Sequence, residues 1–225
     1  MIFHQNHLQR LNGNKNAMIY LFSDKHYEGV EHLPLIEIVF YDKELSLESF
    51  DAIVFTSKNS VEAIDRLSQQ WKGLESFAIG EATASCIEQK GGKLVYTSKS
   101  AYGDAFAHNL LSLLQTKKVY FPRAKEILSS LPEILSNGHI ELFQEVLYET
   151  RCLSYLKEEA PKLHSTLIFT SPSTVACFFK NFDWHESYKA IAIGHKTASS
   201  FPLHVSCQIA KKQTIEACIT LAKGI

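Results

Sequence analysis

A repeat at one fixed offset is the feature that most constrains how this chain can fold. Residues 51–64 read DAIVFTSKNSVEAI and residues 166–178 read TLIFTSPSTVACF; their FTS triplets begin at positions 55 and 169, which are 169 − 55 = 114 apart. A second pair, FAIGEATASCI and IAIGHKTASSF, repeats the spacing, because Gly80 and Gly194 are also 194 − 80 = 114 apart. Two motifs at one offset predict a single α/β unit that is built twice.

Each repeated motif reads as a buried strand, a tight turn and the start of a helix. The apolar run 52–55 is followed by polar residues, with Ser57 or Asn59 as the predicted helix cap, and then by apolar residues at helical spacing. The same alternation continues along the chain, with helices predicted over 126–135 and 197–201, among others. Strands that alternate with helices predict an α/β protein with parallel sheets covered on both faces.

The two copies are not equally complete, and this predicts the domain organisation. The first copy is complete between residues 51 and 140, whereas the second has only three strands from residue 166 to the end. The second copy lacks partner strands unless the N-terminal strands return to it. The sequence therefore predicts a discontinuous domain, a continuous domain and two linker strands that pair with each other: residues 1–37 with 152–225, residues 43–143, and residues 38–42 with 144–151.

Composition excludes several classes of function. The chain has 225 residues, 45% hydrophobic and 21% charged, with a formal net charge of −1. Nucleic-acid and membrane-surface binders usually carry a basic excess, so neither partner is predicted. No apolar run approaches the roughly 20 residues of a membrane span, and residues 1–17 lack the apolar region of a secretory signal.

The cysteines and histidines predict neither a disulfide framework nor a metal site. Five cysteines are scattered without a CxxC pair, which favours buried, reduced thiols and a cytoplasmic location. The ten histidines, including His4 and His7, show no spacing typical of metal ligands. The sequence also lacks a GxSxG elbow, a GxGxxG fingerprint and a P-loop, so covalent nucleophilic catalysis and nucleotide binding are disfavoured.

The four repeated turns are the candidate binding site. Ligands of open parallel sheets bind beyond the carboxyl ends of the strands, where these turns are predicted to lie. Hydroxyl groups and unpaired N–H groups at helix N-termini suit anions such as carboxylates or phosphates. A serine or threonine at a helix start is most often a plain cap, and a duplicated fold repeats its caps. The prediction therefore depends on the set of turns and on no single one.

These motifs together resemble the uroporphyrinogen-III synthase family. The resemblance rests on FTSKNSVEAI, FTSPSTVACFF, AIGEATASCI and AIGHKTASSF, on VLYET in the second crossing segment, and on LPLIEI at residues 33–38. It implies two flavodoxin- or Rossmann-like domains joined by a two-stranded linker, the first domain being discontinuous. It also implies cyclisation of linear hydroxymethylbilane to uroporphyrinogen III, with inversion of the terminal pyrrole ring and loss of water, in haem biosynthesis and without metal or organic cofactor. We expect a monomer.

The resemblance also implies a set of site residues. Tyr148 falls on the family's linker tyrosine, a proposed proton donor to the departing hydroxyl group, although a tyrosine there also suits hinge packing. Thr197 is the second predicted catalytic residue. The substrate has eight carboxylates, and the residues predicted to bind it lie in the turns or at strand ends: Ser57, Lys58, Gly80, Thr83, Arg123, Ser171, Gly194 and Lys196.

Two departures from the family pattern concern the turns, and one rival function remains. The first strand usually ends in an arginine, but Phe22 leads here to Ser23, and the family's later Arg-Gly pair is Arg123-Ala124. The rival is a non-catalytic two-domain protein that binds a small polyanion with the same turns. Turnover of hydroxymethylbilane with separation of the product isomers discriminates between the two functions.

Overall fold

The computed structural model describes residues 18–99, 102–127 and 129–225, and the predictions for residues 1–17, including His4 and His7, lie outside these ranges. Within them the chain is a mixed α/β protein with parallel sheets, as predicted. Its strands are β1 (Ile19–Phe22), β2 (Glu31–His32), β3 (Ile36–Phe40), β4 (Ala52–Phe55), β5 (Glu75–Ile79), β6 (Lys93–Ser98), β7 (Lys118–Ala124), β8 (Glu141–Cys152), β9 (Thr166–Phe169), β10 (Lys189–Ala192) and β11 (Cys207–Ile209).

The helices alternate with the strands. They are α1 (Lys58–Leu67), α2 (Glu81–Gln89), α3 (Gly103–Leu110), α4 (Leu131–Asn137), α5 (Pro172–Asn181), α6 (His195–Ala198) and α7 (Ile215–Ala222), with short 3-10 helices at Gln70–Gly73 and Lys157–Glu159. Among the residues that the structure describes, no helix is long and apolar enough to cross a membrane.

The chain divides into two compact units. Unit 1 contains the described residues of Met1–Glu37 and Arg151–Ile225, and unit 2 contains those of Ile38–Thr150. The chain passes between the units along β3 and β8, which are neighbouring strands. The N–H of Tyr41 donates to the carbonyl of Leu147, and that of Leu153 donates to the carbonyl of Leu35, both at 2.9 Å. The residue numbers of the bonded partners fall along β8 as they rise along β3, so these two strands run antiparallel.

Unit 2 has the strand order of a doubly wound sheet. Its sheet runs β3-β8-β7-β4-β5-β6, and β8, β7, β4, β5 and β6 pair in parallel. In chain order within the unit, these five strands follow the doubly wound pattern, in which the chain first builds one half of the sheet and then returns to build the other. The direction of winding reverses between β4 and β7, so a topological switch point lies at the carboxyl ends of those two strands.

Unit 1 repeats this arrangement with a different chain order. Its sheet runs β11-β10-β9-β1-β2, all in parallel. The pairing of Phe55 with Ala78 in unit 2 recurs as Phe169 with Ala192 in unit 1, so the register is conserved at the offset of 192 − 78 = 114. In unit 1 the N-terminal strands β1 and β2 occupy the places that β7 and β8 hold in unit 2. The order is therefore the flavodoxin pattern 2-1-3-4-5, with its switch point between β1 and β9.

Burial on both faces explains why the central strands are continuous apolar runs. All four residues of β4 are buried; Ile53 and Phe55 pack into one core cluster, and Ala52 and Val54 pack into another. Successive side chains of a strand point to opposite faces, so the two clusters lie on opposite sides of the sheet. The residues of β9 divide in the same way, with Phe169 in one cluster and Ile168 in the other.

Several element boundaries differ from the sequence-based predictions. The helix predicted over 126–135 begins only at Leu131, because Pro132 occupies the first turn, where its missing N–H costs nothing. The helix predicted over 197–201 is instead His195–Ala198. The two-residue strand β2 was not predicted, since so short a segment carries no periodic signal.

The prediction that every cysteine is reduced is wrong for one pair. Cys152 and Cys177 form a disulfide, with their Cα atoms 5.3 Å apart, whereas Cys86, Cys207 and Cys218 are free. The end of β8 runs beside α5, which brings the two sulfur atoms together although 25 positions separate them in sequence. A spacing of that length has no recognisable motif, so only the packing of the strand against the helix reveals the pair.

A second contact holds the same segment to α5. Asn181 lies one turn after Cys177, and its side-chain Nδ2 donates to the carbonyl of Leu153 at 2.8 Å, while its Oδ1 accepts from the N–H of Tyr155 at 2.9 Å. Asn181 is 8% exposed, and its amide is satisfied by backbone groups. The residues after β8 are thus held to α5 by one covalent bond and by a buried amide.

Gly92 is required for close packing, and its substitution tests the core of unit 2. A Cβ atom at Gly92 would lie 2.3 Å from Cζ3 of the buried Trp71 and 2.8 Å from Cγ2 of Ile87. We expect Gly92→Ala to lower the free energy of unfolding of unit 2 by about 1–3 kcal/mol, since overpacking forces these side chains out of their positions. Urea unfolding followed by the fluorescence of Trp71 measures the effect.

Gly73→Ala is the matched control for this substitution. A Cβ atom at Gly73 would meet nothing within 4 Å, so we expect a change within about 0.5 kcal/mol. The chain has two tryptophans, and Trp184 belongs to unit 1, so its fluorescence shows whether the loss is confined to unit 2. Equal destabilisation by the two alanine substitutions would contradict the packing argument.

Candidate functional site

The switch point of unit 2 brings together residues that are far apart in sequence. Ser57 follows β4, and Arg123 lies near the end of β7, the strand beside it. The next strand, β8, carries Tyr148 in register with Ala124 at the end of β7. Crevices at such switch points are where open parallel sheets bind their ligands. Three of the predicted site residues therefore lie at the same edge of this sheet, and two of them, Ser57 and Tyr148, are in contact.

A hydrogen bond joins Ser57 to Tyr148. Ser57 is the N-cap of α1, where its Oγ accepts from the N–H of Ser60 at 3.2 Å, and the same Oγ lies 2.6 Å from the phenol oxygen of Tyr148. Tyr148 is 5% exposed. Burial raises the pKa of its phenol above the ordinary value, and the hydrogen bond with Ser57 acts in the opposite direction. Tyr148 is thus protonated at neutral pH and can act as a hydrogen-bond donor.

The ring and backbone of Tyr148 are held as firmly as its hydroxyl group. Its carbonyl accepts from the N–H of Lys125 at 2.8 Å. Its ring lies 6.2 Å from the ring of Phe40 on the antiparallel neighbour strand, and the guanidinium of Arg66 covers Phe40 at 4.1 Å. Tyr148 therefore packs against Phe40 of β3 and also presents its hydroxyl to the cap of α1, so a packing role and a hydrogen-bonding role are compatible.

The basic residues of the predicted site differ in their surroundings. The Nη1 of Arg123 donates to the carbonyls of Ala124 and Lys125, at 2.9 and 3.1 Å, which fixes the guanidinium against the loop that follows β7. Its Nε is buried and has no hydrogen-bond partner among the described residues. Lys58 and Lys196 are exposed near the starts of α1 and α6.

The second turn of unit 2 depends on a glycine conformation. Gly80 has φ 73° and ψ 161° and is the N-cap of α2, while its N–H donates to the carbonyl of Ser98 at 3.2 Å. This region of backbone conformation is populated almost only by glycine. Thr83 follows in α2 and is buried, at 4% exposure. The turn is therefore fixed by its backbone and offers no side chain at the cap.

The FTS turn of unit 1 repeats the cap of α1 with a different set of partners. Ser171 caps α5 by accepting from the N–H of Thr174 at 3.2 Å, and the hydroxyl of Thr174 donates to the carbonyl of Ser171 at 2.7 Å. The neighbouring Thr170 donates its hydroxyl to the carbonyl of Phe22 at 3.2 Å, across the switch point between β9 and β1. Within the described residues, no tyrosine hydroxyl bonds to Ser171 as Tyr148 does to Ser57.

The second turn of unit 1 is less constrained than its counterpart. Gly194 has φ −170°, an extended conformation that any residue can adopt, and it precedes the four-residue helix α6. Thr197 lies in that helix and is 3% exposed. The predicted equivalence of Gly80 and Gly194 therefore holds for the sequence pattern and does not extend to the backbone.

The described residues 18–99, 102–127 and 129–225 contain no group of three or more histidine, cysteine, aspartate or glutamate side chains placed to hold a metal ion. The groups present at the switch points are hydroxyls, backbone N–H groups, lysines and one arginine. Such a set can hold carboxylates and can supply a proton from the phenol.

The fold and these turns define an α/β protein with doubly wound sheets and hydroxyl groups at their switch points. The family model of uroporphyrinogen-III synthase HemD matches residues 22–220. The crystal structure of uroporphyrinogen-III synthetase from Helicobacter pylori 26695 is similar, with 31% identity and a TM-score of 0.77 over 92% of this chain and 99% of that chain. The chain belongs to the uroporphyrinogen-III synthase family, and it is a cyclising lyase of haem biosynthesis.

A more distant structure shares the fold. A mutant uroporphyrinogen III synthase from the extremely thermophilic bacterium Thermus thermophilus has 11% identity and a TM-score of 0.58, over 92% of this chain and 98% of that chain. No curated protein sequence matches this chain significantly.

The difference between the two glycine turns predicts different responses to alanine. We expect Gly80→Ala to lower the free energy of unfolding of unit 2 by about 1–3 kcal/mol, because the side chain is strained at positive φ. At Gly194 the three atoms nearest to an added Cβ all belong to the flexible side chain of Gln213, the nearest at 3.1 Å, so we expect a change within about 0.5 kcal/mol. Urea unfolding measured by Trp71 and Trp184 reports each unit, and equal effects would contradict the proposed strain.

Proposed function

We propose that this enzyme cyclises hydroxymethylbilane to uroporphyrinogen III, with inversion of the terminal pyrrole ring, using Tyr148 as the proton donor to the departing hydroxyl group. The observation that carries this assignment is the part-buried hydrogen bond between Tyr148 and Ser57 at the switch point of unit 2. It holds a protonated phenol at the edge of the sheet where ligands of this fold bind.

The reaction needs little acid–base chemistry from the protein. Departure of the hydroxyl group from the hydroxymethyl carbon leaves an azafulvene cation, which the pyrrole nitrogen stabilises. The terminal ring is itself a nucleophile. For inversion, its substituted carbon attacks the cation, the older bond from that carbon to the methylene of the neighbouring ring breaks, and that methylene bonds again at the unsubstituted α-carbon, which loses its proton. Unguided closure gives the other isomer, so the main task of the protein is to hold the bilane in one conformation.

Protonation by Tyr148 allows the hydroxyl group to leave as neutral water. Its O–H transfers a proton to the hydroxyl oxygen of the substrate while the carbon–oxygen bond breaks, and the bond electrons leave with water. The phenolate regains a proton when ring closure releases one from carbon. The high pKa of the buried phenol is consistent with a group that gives its proton only as the leaving oxygen becomes basic.

The remaining predicted residues would hold the substrate carboxylates. Exposed lysines and the fixed guanidinium attract them, and the helix N-termini offer backbone N–H groups. We propose Thr197 as the second catalytic residue, with its hydroxyl on a carboxylate or on the leaving oxygen. The proposed substrate-binding residues are Ser57, Lys58, Gly80, Thr83, Arg123, Ser171, Gly194 and Lys196.

We extend the proposal to organisation and location. The two compact units would act as two domains, residues 1–37 with 152–225 and residues 43–143, joined by linker strands 38–42 and 144–151, in a cytoplasmic monomer. Three free cysteines suit a reducing compartment. The disulfide between Cys152 and Cys177 would be open to reduction there, and the hydrogen bonds of Asn181 would still hold the same segment.

Turnover of hydroxymethylbilane, with the product isomers separated by chromatography, tests the reaction and the role of Tyr148. We expect the wild-type protein to give uroporphyrinogen III, and we expect Tyr148→Phe to lower kcat about ten- to a hundredfold. General acid catalysis is typically worth ~10²–10⁴-fold, and the bilane ionises readily without help, so the low end applies.

Two outcomes would contradict this assignment. A wild-type protein that binds hydroxymethylbilane without turning it over would favour the rival polyanion-binding function. A folded Tyr148→Phe protein with wild-type kcat would remove Tyr148 from the chemistry and leave it with its packing role against Phe40.

Thr197→Val tests the second catalytic assignment, because it removes the hydroxyl group and keeps the shape of the side chain. We expect kcat/KM to fall about ten- to 150-fold, which corresponds to the loss of a hydrogen bond to a charged group. A rise in KM alone would mean that the hydroxyl of Thr197 binds the substrate equally well in the ground state and the transition state. A fall in kcat would mean that it stabilises the transition state more than the bound substrate.

Thr166→Val provides the control for this substitution. Thr166 is a buried threonine of the same unit, but it begins β9 at the end of the strand opposite to the turns. It should lose stability without losing kcat/KM. Wild-type kcat/KM in a folded Thr197→Val protein would exclude a role for the hydroxyl of Thr197.

A further inference from the structure

The hydroxyl of Ser57 lies between a helix N-terminus and the phenol of Tyr148. Its Oγ accepts from the N–H of Ser60 at 3.2 Å and lies 2.6 Å from the phenol oxygen, while the hydroxyl of Ser60 donates to the Ser57 carbonyl at 2.7 Å. The carbonyl contact and the N–H bond both fix Ser57 against the first turn of α1. Because the Oγ accepts in its bond to Ser60, the single hydrogen of the Ser57 hydroxyl can still be donated, and the phenol oxygen of Tyr148 is within its reach.

The two hydroxyl groups can share their hydrogens in two ways. If Tyr148 donates to Ser57, the phenol hydrogen is used and cannot reach a leaving oxygen. If Ser57 donates to Tyr148, the phenol hydrogen is available to the substrate. Acceptance of the Ser60 N–H polarises the Ser57 hydroxyl and makes it a better donor, since hydrogen bonds in a chain strengthen one another.

Charge development during the reaction favours the second arrangement. As Tyr148 gives up its proton, negative charge grows on the oxygen of a side chain that is only 5% exposed, where bulk water stabilises it less than in solution. A donor already placed at 2.6 Å stabilises that charge without reorganisation. The N–H of Ser60, at the positive end of a ten-residue helix, supports the same polarity through Ser57.

We propose that Ser57 is a positioning residue for the reaction, which donates its hydroxyl hydrogen to the phenol oxygen of Tyr148 while Tyr148 donates its own to the leaving oxygen of the substrate. The inference rests on the proposed role of Tyr148. The Ser60 N–H donates to the Ser57 hydroxyl, the Ser57 hydroxyl donates to the Tyr148 phenol oxygen, and the Tyr148 hydroxyl donates to the leaving oxygen, which is the final acceptor. One proton crosses, from Tyr148 to the leaving oxygen, and the phenolate remains bound to Ser57 until ring closure returns a proton.

The repeat separates this role from plain helix capping. Ser171, at 171 − 57 = 114 positions further on, accepts the corresponding N–H at the same distance of 3.2 Å. Both copies therefore use a serine as the cap, and only the copy in unit 2 adds the phenol. The contact with Tyr148 is an addition to the cap that the fold itself does not need.

Three variants test the inference by kcat and by carbon NMR. Tyrosines labelled at Cζ give resonances that respond to hydrogen bonds at the phenol oxygen, and Tyr148→Phe assigns the resonance of Tyr148 among the nine tyrosines. We expect Ser57→Ala to shift that resonance and to lower kcat about three- to tenfold, the effect of one lost hydrogen bond. Ser57→Thr keeps the hydroxyl and the cap, so both properties should return towards wild type.

Thr214→Ala is the matched control for cap loss. Thr214 caps α7 by accepting from the N–H of Ala217 at 3.2 Å, the same distance as in the Ser57 cap, and it lies outside the proposed site. We expect Thr214→Ala to lower the free energy of unfolding by about as much as Ser57→Ala does, and to leave kcat and the Tyr148 resonance unchanged.

The outcomes separate this inference from the proposed function. If Tyr148→Phe keeps wild-type kcat, the role of Tyr148 fails and this inference fails with it. If Tyr148→Phe lowers kcat but Ser57→Ala, like the control Thr214→Ala, leaves kcat unchanged, only the inference is overturned. A Ser57→Ala protein with raised KM and unchanged kcat would leave Ser57 only its proposed role in substrate binding and would overturn the inference. In the Tyr148→Phe background, a further loss from Ser57→Ala of about threefold or more would also overturn it, because no phenol remains to position.

Discussion

Parallel pairing of buried strands is the constraint on which the rest of this structure depends. Parallel strands end at the same edge of a sheet, so every strand-to-helix turn of a unit is delivered to one side. The turns must then begin helices, and a helix start has N–H groups that need acceptors. Ser57 and Ser171 meet that need with a side-chain oxygen, whereas Gly80 and Gly194 have no side-chain acceptor and leave the first N–H groups of their helices to other partners. The candidate site is built from the same groups that the fold requires.

Duplication gives two copies of one solution, and their differences show what each copy has added. The strand register is preserved at 114 positions, and the two serine caps have the same donor distance of 3.2 Å. Unit 2 adds Tyr148 to its cap, whereas unit 1 adds the bond from Thr170 to β1. The glycine turns differ as well, since only Gly80 has a positive φ. A shared backbone has therefore acquired different chemistry at its two switch points.

The strand β8 links the site to the rest of the chain. Its second half carries Tyr148 beside the cap of α1, and its end is joined to α5 through Cys152 and followed by the segment that Asn181 holds. These contacts use different physics: a hydrogen bond between hydroxyls, a covalent bond and a buried amide. The first two contacts fix the strand itself, and the third fixes the segment that follows it.

The sequence by itself determined the α/β class, the repeat and the helix caps, because each is a local pattern of burial and hydrogen-bonding need. It also placed Ser57 and Tyr148 in the predicted site, the first by its motif and the second by a family resemblance. Only the tertiary structure decided that their oxygens lie 2.6 Å apart, since the contact depends on the order of β4, β7 and β8 in the sheet. It also decided the bond between Cys152 and Cys177 and the conformations of the two glycine turns. These depend on contacts between segments distant in sequence, and no local pattern encodes such distances.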